Sequence, residues 1–147
     1  MKENLLISAC LIGANCKYSG GSNRLPEQTL RKLRERFHLL PVCPETAGGL
    51  GVPRQPSERR GERVVNRSGR DVTAEYRAGA AIALALGKRF GCEKALLKER
   101  SPSCGSAVIY DGSFSATLTE GDGVAAERLK QANIRVYGES EIDSLVK

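Results

Sequence analysis

Five cysteines carry most of the chemistry this chain could do: Cys10, Cys16, Cys43, Cys92 and Cys104. Thiolates bind soft metals, attack electrophiles and pair as disulfides. An odd count leaves one thiol over from any complete disulfide framework. The N-terminal run MKENLLISACLIG has no small-residue cleavage site after a basic start, and it is too short and interrupted to span a membrane. The expectation is therefore a cytoplasmic protein with reduced thiols, in which disulfide staples are the least supported use. Metal binding, nucleophilic chemistry and inert burial stay open.

Two polar residues stand beside these thiols. Glu45 follows Cys43 closely, and Ser101 precedes Cys104. Next to a metal, a carboxylate can act as general base on a water, and a hydroxyl can orient that water. Structural roles compete with this reading. The serine could bond its own loop or cap a helix, and Glu45 could simply pair with Arg54 or Arg100. The only histidine, His38, lies between a helix and a strand and reads as structural rather than as a ligand.

These residues must be positioned by a fold of 147 residues, a length that suits one domain, 1–147, with one core. Apolar residues make up 40% and aromatics 5%, with no Trp, so the core should be aliphatic. Short apolar runs at Asn4 to Leu11, Leu39 to Val42, Ala95 to Lys98 and Ile134 to Tyr137 read as buried strands. Helical spacing is expected over Leu25 to Phe37, over Thr73 to Phe90 with Thr73 as cap, and over Gly121 to Asn133. Ser140 should cap a short terminal helix. Val64, Val65 and Val72 around Asn66-Arg67-Ser68-Gly69 predict a small hairpin. The alternation implies an α/β fold, a mostly parallel Rossmann-like sheet flanked by helices with a hairpin insertion.

In such a sheet, ligands bind beyond the carboxyl ends of the strands. Cys10 falls at the end of the first strand, Cys43 directly after the second, and Cys104 in the loop after the third. Three thiols distant in sequence should therefore meet at one edge. Their loops, Cys43-Pro44-Glu45-Thr46-Ala47-Gly48-Gly49 and Ser101-Pro102-Ser103-Cys104-Gly105-Ser106, combine proline stiffness with glycine access to the backbone. Zinc with sulfur ligands usually takes four and closes its site, whereas three thiolates suit an iron–sulfur cluster with one open position. Cys16 could supply a fourth thiolate. Cys92 ends a helix and reads as an inert buried thiol.

The net charge of +6 comes from Lys and Arg spread along the chain, densest from Arg54 to Arg70. That segment reads as a solvated surface or as a phosphate or RNA contact. No alternation of aromatic and basic residues forms a single-strand platform.

Three blocks in order resemble the thiouracil desulfidase family. They are Ser8-Ala9-Cys10-Leu11-Ile12-Gly13 with Cys16-Lys17-Tyr18-Ser19-Gly20; Cys43-Pro44-Glu45 with Gly48-Gly49-Leu50 and Pro53-Arg54; and Ser101-Pro102-Ser103-Cys104-Gly105. The resemblance covers nearly the whole chain and looks like the short, stand-alone form. It implies a [4Fe–4S] cluster on Cys10, Cys43 and Cys104, catalytic roles for Glu45 and Ser101, and non-redox desulfuration of a thiolated pyrimidine. Ser8, Gly48, Gly49 and Ser103 would leave room for the flat ring, and cluster-assembly machinery is implied as a partner. The alternative is a zinc- or cluster-stabilised module that binds RNA or senses redox state without turnover.

Overall fold

Three consecutive residues, Leu5, Leu6 and Ile7, are fully buried. Side chains on a strand alternate between faces, so such a run requires a sheet covered on both sides. The computed structural model, which describes residues 2–147, shows that sheet. Its parallel strands are β1 (Glu3–Ser8), β2 (Phe37–Val42), β5 (Lys94–Leu96) and β8 (Arg135–Tyr137), in the order β2-β1-β5-β8. Register is set along β1, where Leu5 sits opposite Leu39 on one side and Lys94 on the other.

Helices divide between the two faces. α1 (Glu27–Arg36) and the short α5 (Ile142–Leu145) cover one face, where Leu33 and Leu145 join Leu5, Ile7, Leu11, Phe37 and Leu96. α3 (Thr73–Arg89) and α4 (Val124–Gln131) cover the other, where Ala83, Leu84, Ala126 and Leu129 join Leu6, Val42, Ala95 and Leu97. Among the described residues no helix is long and apolar enough to cross a membrane.

The expected order of strands and helices is present, and four local details differ. The first strand ends at Ser8 rather than Leu11. The chain tightens into a 3-10 turn at Ala9–Ile12, closed by Gly13 in the left-handed region at φ +106°. Cys10 thus sits in a turn just past the strand. The hairpin forms one strand earlier than expected, between β3 (Ser57–Arg60) and β4 (Arg63–Asn66). The expected far side survives only as a bridge between Val65 and Asp71. Ser57–Arg60 carries no apolar alternation; it pairs with β4 through the backbone, and its arginines bond residues elsewhere. Arg59 bonds the Asp122 carbonyl and the Glu127 carboxylate, and Arg60 bonds the Gly112 carbonyl.

A second hairpin, β6 (Val108–Tyr110) with β7 (Leu118–Glu120), extends beyond the segment read as briefly extended. Finally, the helix caps are not the expected residues. Thr73 accepts a bond from the Val64 amide, while Asp71 accepts the Thr73 amide at 2.9 Å and serves the start of α3. Ser140 bonds the Glu99 carboxylate instead of capping a helix.

Between β2 and the first hairpin the chain makes one helical turn, α2 (Pro44–Ala47), with Pro44 supplying the fixed φ favoured at a helix start. α2 meets α3 backbone to backbone. A β-carbon at Gly79 would stand 1.8 Å from the Pro44 carbonyl oxygen, and one at Gly48 would stand 1.9 Å from that of Glu75. Only glycine allows this approach, and it fixes the height of Cys43 and Glu45 above the sheet.

Candidate metal centre

A cavity of about 690 Å³ opens at the carboxyl edge of the sheet. Its wall includes Cys10 from the turn after β1, Cys43 from the end of β2 and Cys104 from the loop after β5. In this strand order the chain runs from β1 to β2 on one side and then back past β1 to β5 on the other, and this reversal opens a crevice between β1 and β5. Cys16 lies in the same wall, so four of the five thiols share one space. Cys92 does not. It is buried with Leu6, Ala95 and Ile134 under α3. His38 is exposed near the opposite edge, level with Asn4.

All five thiols are free, and burial disfavours the anionic form of Cys10, Cys16 and Cys104. Burial pushes the Cys104 thiol up to about 12, against hydrogen bonds from Ser8 and Ser103 that pull it down. Burial, and then the neighbouring Cys43, push Cys16 up to about 12. Cys10 is also raised, chiefly by burial. A positive group held in the cavity would offset that burial and favour the thiolate forms.

The donor set decides what kind of partner fits. Among the described residues, no three His, Cys, Asp or Glu side chains close to the spacing of one metal ion. A cubane cluster takes one thiolate per iron, so its ligands stand around it rather than converge on a point. Soft thiols spaced around one cavity, with no histidine or converging carboxylate among them, fit a cluster better than a single zinc.

Glu45 reaches this wall from α2 and is held at both oxygens. Arg54 Nε donates to Oε1 at 3.0 Å, and Ser103 Oγ donates to Oε2 at 2.9 Å. Arg54 also donates to the carbonyls of Cys16, at 2.8 Å, and Gly51, at 3.1 Å, so one guanidinium ties the carboxylate to two loops. The Cys43 thiol points at the same Cys16 carbonyl, 3.8 Å away. Behind Glu45 stands the buried Tyr76, whose phenol is raised well above its ordinary range by burial and then by the Glu45 charge.

The expected site residues therefore divide. Cys10, Cys43, Cys104, Glu45, Ser101, Ser103 and Ser8 all line the cavity. Ser8 Oγ accepts the Lys98 amide at 2.9 Å, which stitches the ends of β1 and β5 together beside Cys104. Gly48 and Gly49 do not line it: Gly48 packs against α3, and Gly49 faces open space. Of the two arginines weighed as partners for Glu45, Arg54 is the one in contact. Sequence reasoning missed Tyr76, whose only signal was a large polar side chain on the core face of a helix. It also missed the rim residues Tyr110 and Phe114, which the second hairpin brings to the cavity. Arg60 and Arg67 each lie over the Phe114 ring, at 5.9 Å. The segment expected as free basic surface thus spends several of its guanidinium groups within the molecule.

A parallel α/β sheet with a thiol-lined crevice at its carboxyl edge, and a carboxylate anchored at both oxygens beside the thiols, defines an α/β protein whose site suits a catalytic metal centre. The chain belongs to the 2-thiouracil desulfurase family, whose model matches residues 5–141. A solved structure of a [4Fe–4S]-dependent thiouracil desulfidase, TudS, is similar at 44% identity. The match covers 98% of this chain and 95% of that one, with a TM-score of 0.93. An uncharacterised protein of Bacillus subtilis strain 168, YbbK, is 40% identical over 97% of this chain and 99% of its own length.

Proposed function

We propose that this protein is a [4Fe–4S]-dependent desulfidase that converts thiouracil and water into uracil and hydrogen sulfide. One observation supports this best: a carboxylate fixed at both oxygens shares a cavity with thiols delivered from three separate strand ends. Cys10, Cys43 and Cys104 would hold the cluster. A cubane with three protein thiolates supplies an open iron, a Lewis acid for a soft thiocarbonyl sulfur.

The chain's own residues then carry out proton and positioning chemistry. Glu45 takes a proton from a water within the cavity, and the oxygen forms a bond to the ring carbon that bears sulfur. The carbon–sulfur bond breaks as the carbonyl forms, and hydrosulfide takes up a proton and leaves. No oxidation state changes. Ser101 is assigned with Glu45 to the catalytic group, and Ser8 and Ser103 to the wall that receives the flat ring. Five free thiols favour a reducing cytoplasmic setting, and a cluster implies an assembly system that supplies iron and sulfide. The alternative module without turnover has no observation in its favour.

Protein purified without oxygen should contain iron and acid-labile sulfide and should release uracil from thiouracil. Glu45→Ala should keep the iron and lose turnover. A colourless protein with one zinc, or a Glu45→Ala variant of normal rate, would overturn this reading.

A further inference from the structure

The Glu58 carboxylate belongs to the first hairpin, yet it bonds the second. Its Oε1 accepts the Gly112 amide at 2.9 Å and the Phe114 amide at 3.1 Å. Arg60, on the same strand, donates from Nε to the Gly112 carbonyl at 2.7 Å. One strand therefore holds both the donors and the acceptor of the facing turn. The approach is close. A β-carbon at Gly112 would stand 2.4 Å from Arg60 Cγ and 3.1 Å from the Arg59 carbonyl oxygen. This clamp keeps Phe114 at φ +57°, a left-handed backbone that a bulky aromatic residue adopts only when its surroundings impose it. Ala116 is left-handed too, at φ +60°, and both residues line the cavity. The Arg60 and Arg67 guanidinium groups, each 5.9 Å from the centre of the Phe114 ring, steady its orientation.

We infer that Phe114 is a specificity-determining residue, the aromatic wall against which the thiolated pyrimidine rests, and that Glu58 is the positioning residue that holds it there. The inference rests on the desulfidase reading for its substrate and on geometry for the clamp. Ser8 and Ser103 offer the flat ring hydroxyl groups and no apolar face. Small-molecule pockets pair a few polar groups with apolar or aromatic surface, and Phe114 supplies that surface here. Phe114 meets the heterocycle rather than the carbon–sulfur bond that breaks, so it holds substrate and transition state about equally. Its loss weakens binding more than it slows chemistry. Glu58 acts through two backbone amides, so a neutral acceptor of the same shape can replace it.

Steady-state kinetics on the iron-loaded enzyme, with rates expressed per intact cluster, test the wall. Phe114→Ala should raise the KM for thiouracil about tenfold to a hundredfold, the range for a lost pocket contact, while kcat changes far less. Phe114→Tyr should recover most of the affinity. Phe114→Leu should recover less, because its side chain is apolar but not flat. Equilibrium dialysis with uracil, which keeps the ring and lacks the reactive sulfur, should rank the variants in the same order by Kd without any turnover.

Glu58→Ala should reproduce part of the KM rise, Glu58→Gln should restore the wild-type value, and Glu58→Ala should add little in a Phe114→Ala background. Amide hydrogen exchange reads the clamp directly. The 112 and 114 amides should exchange faster in Glu58→Ala and stay protected in Glu58→Gln. An unchanged KM in Phe114→Ala, with the wild type active, would overturn the inference and leave the desulfidase reading intact. A fall in kcat at constant KM, or unchanged 112 and 114 protection in Glu58→Ala, would do the same. Wild-type protein that is loaded but inert toward thiouracil would instead defeat the activity reading. Uracil dialysis would then decide the wall, and an equal Kd in wild type and Phe114→Ala would overturn it.

Discussion

Arg54 Nε donates to Glu45 Oε1 at 3.0 Å, and the two side chains are only 10% and 14% exposed. A pair this sheltered is costly to break from one side, because the remaining charge stays behind without a partner. Arg54→Ala should therefore lose about 3 kcal/mol of stability, read from urea unfolding. Arg54→Lys should recover only part of it, since an ammonium group cannot reach Glu45 and the Cys16 and Gly51 carbonyls in one plane. Full recovery by lysine would mean that charge alone matters here.

The cysteines should separate by metal content rather than by activity. Alanine at Cys10, Cys43 or Cys104 should leave little iron and acid-labile sulfide in protein purified without oxygen. Cys92→Ala should retain both and lose about 1 kcal/mol, the scale of a small core deletion. Cys16→Ala should also retain the cluster. Iron loss in Cys16→Ala equal to that of Cys43→Ala would make Cys16 a ligand.

Two neighbouring glycines should behave differently. Gly48→Ala places a methyl on the Glu75 carbonyl and must push α2 off α3, a clash worth about 1–3 kcal/mol that also displaces Glu45. Gly49→Ala meets no atom and bears only the strain of φ +102°, about 1–2 kcal/mol. The KM for thiouracil should be unchanged in Gly49→Ala, because the residue lies outside the cavity. Thermal melts and steady-state kinetics on both variants distinguish the cases.

Asp71 ties acid stability to the helix that carries Gly79. Its hydrogen bonds from Thr73, followed by Arg63, hold the carboxyl well below the usual carboxylate range. A folded-state value below the unfolded one stabilises the protein above the unfolded value, near 4, and is lost as pH falls through the folded one. The melting-temperature advantage of the wild type over Asp71→Asn should hold at pH 6 and shrink steadily below about pH 4. A difference that does not change from pH 6 to pH 2 would contradict this linkage.

What could be read before the fold was known depended on how local the cause was. The four sheet strands stood out as short apolar runs, most clearly Leu5-Leu6-Ile7, which is buried on both faces. The meeting of Cys10, Cys43 and Cys104 followed from strand ends alone. Ser57–Arg60 was invisible as a strand because its arginine side chains, bonded to distant carbonyls and Glu127, leave no apolar pattern. Gly79 carried a signal that went unused: a glycine inside a long alanine-rich helix costs about 1 kcal/mol over alanine and so marks a close approach.

The strand order has a consequence for timing. Cys10 and Cys43 are made early, but Cys104 reaches them only after β5 has slotted in beside β1, which requires α3 to have crossed the sheet first. A chain still emerging from the ribosome carries these thiols as isolated groups with no shared pocket. Iron offered at that stage would meet stray cysteines. If these three thiols hold the cluster, their shared pocket exists only once β5 is in place, so the cluster and the finished sheet depend on each other.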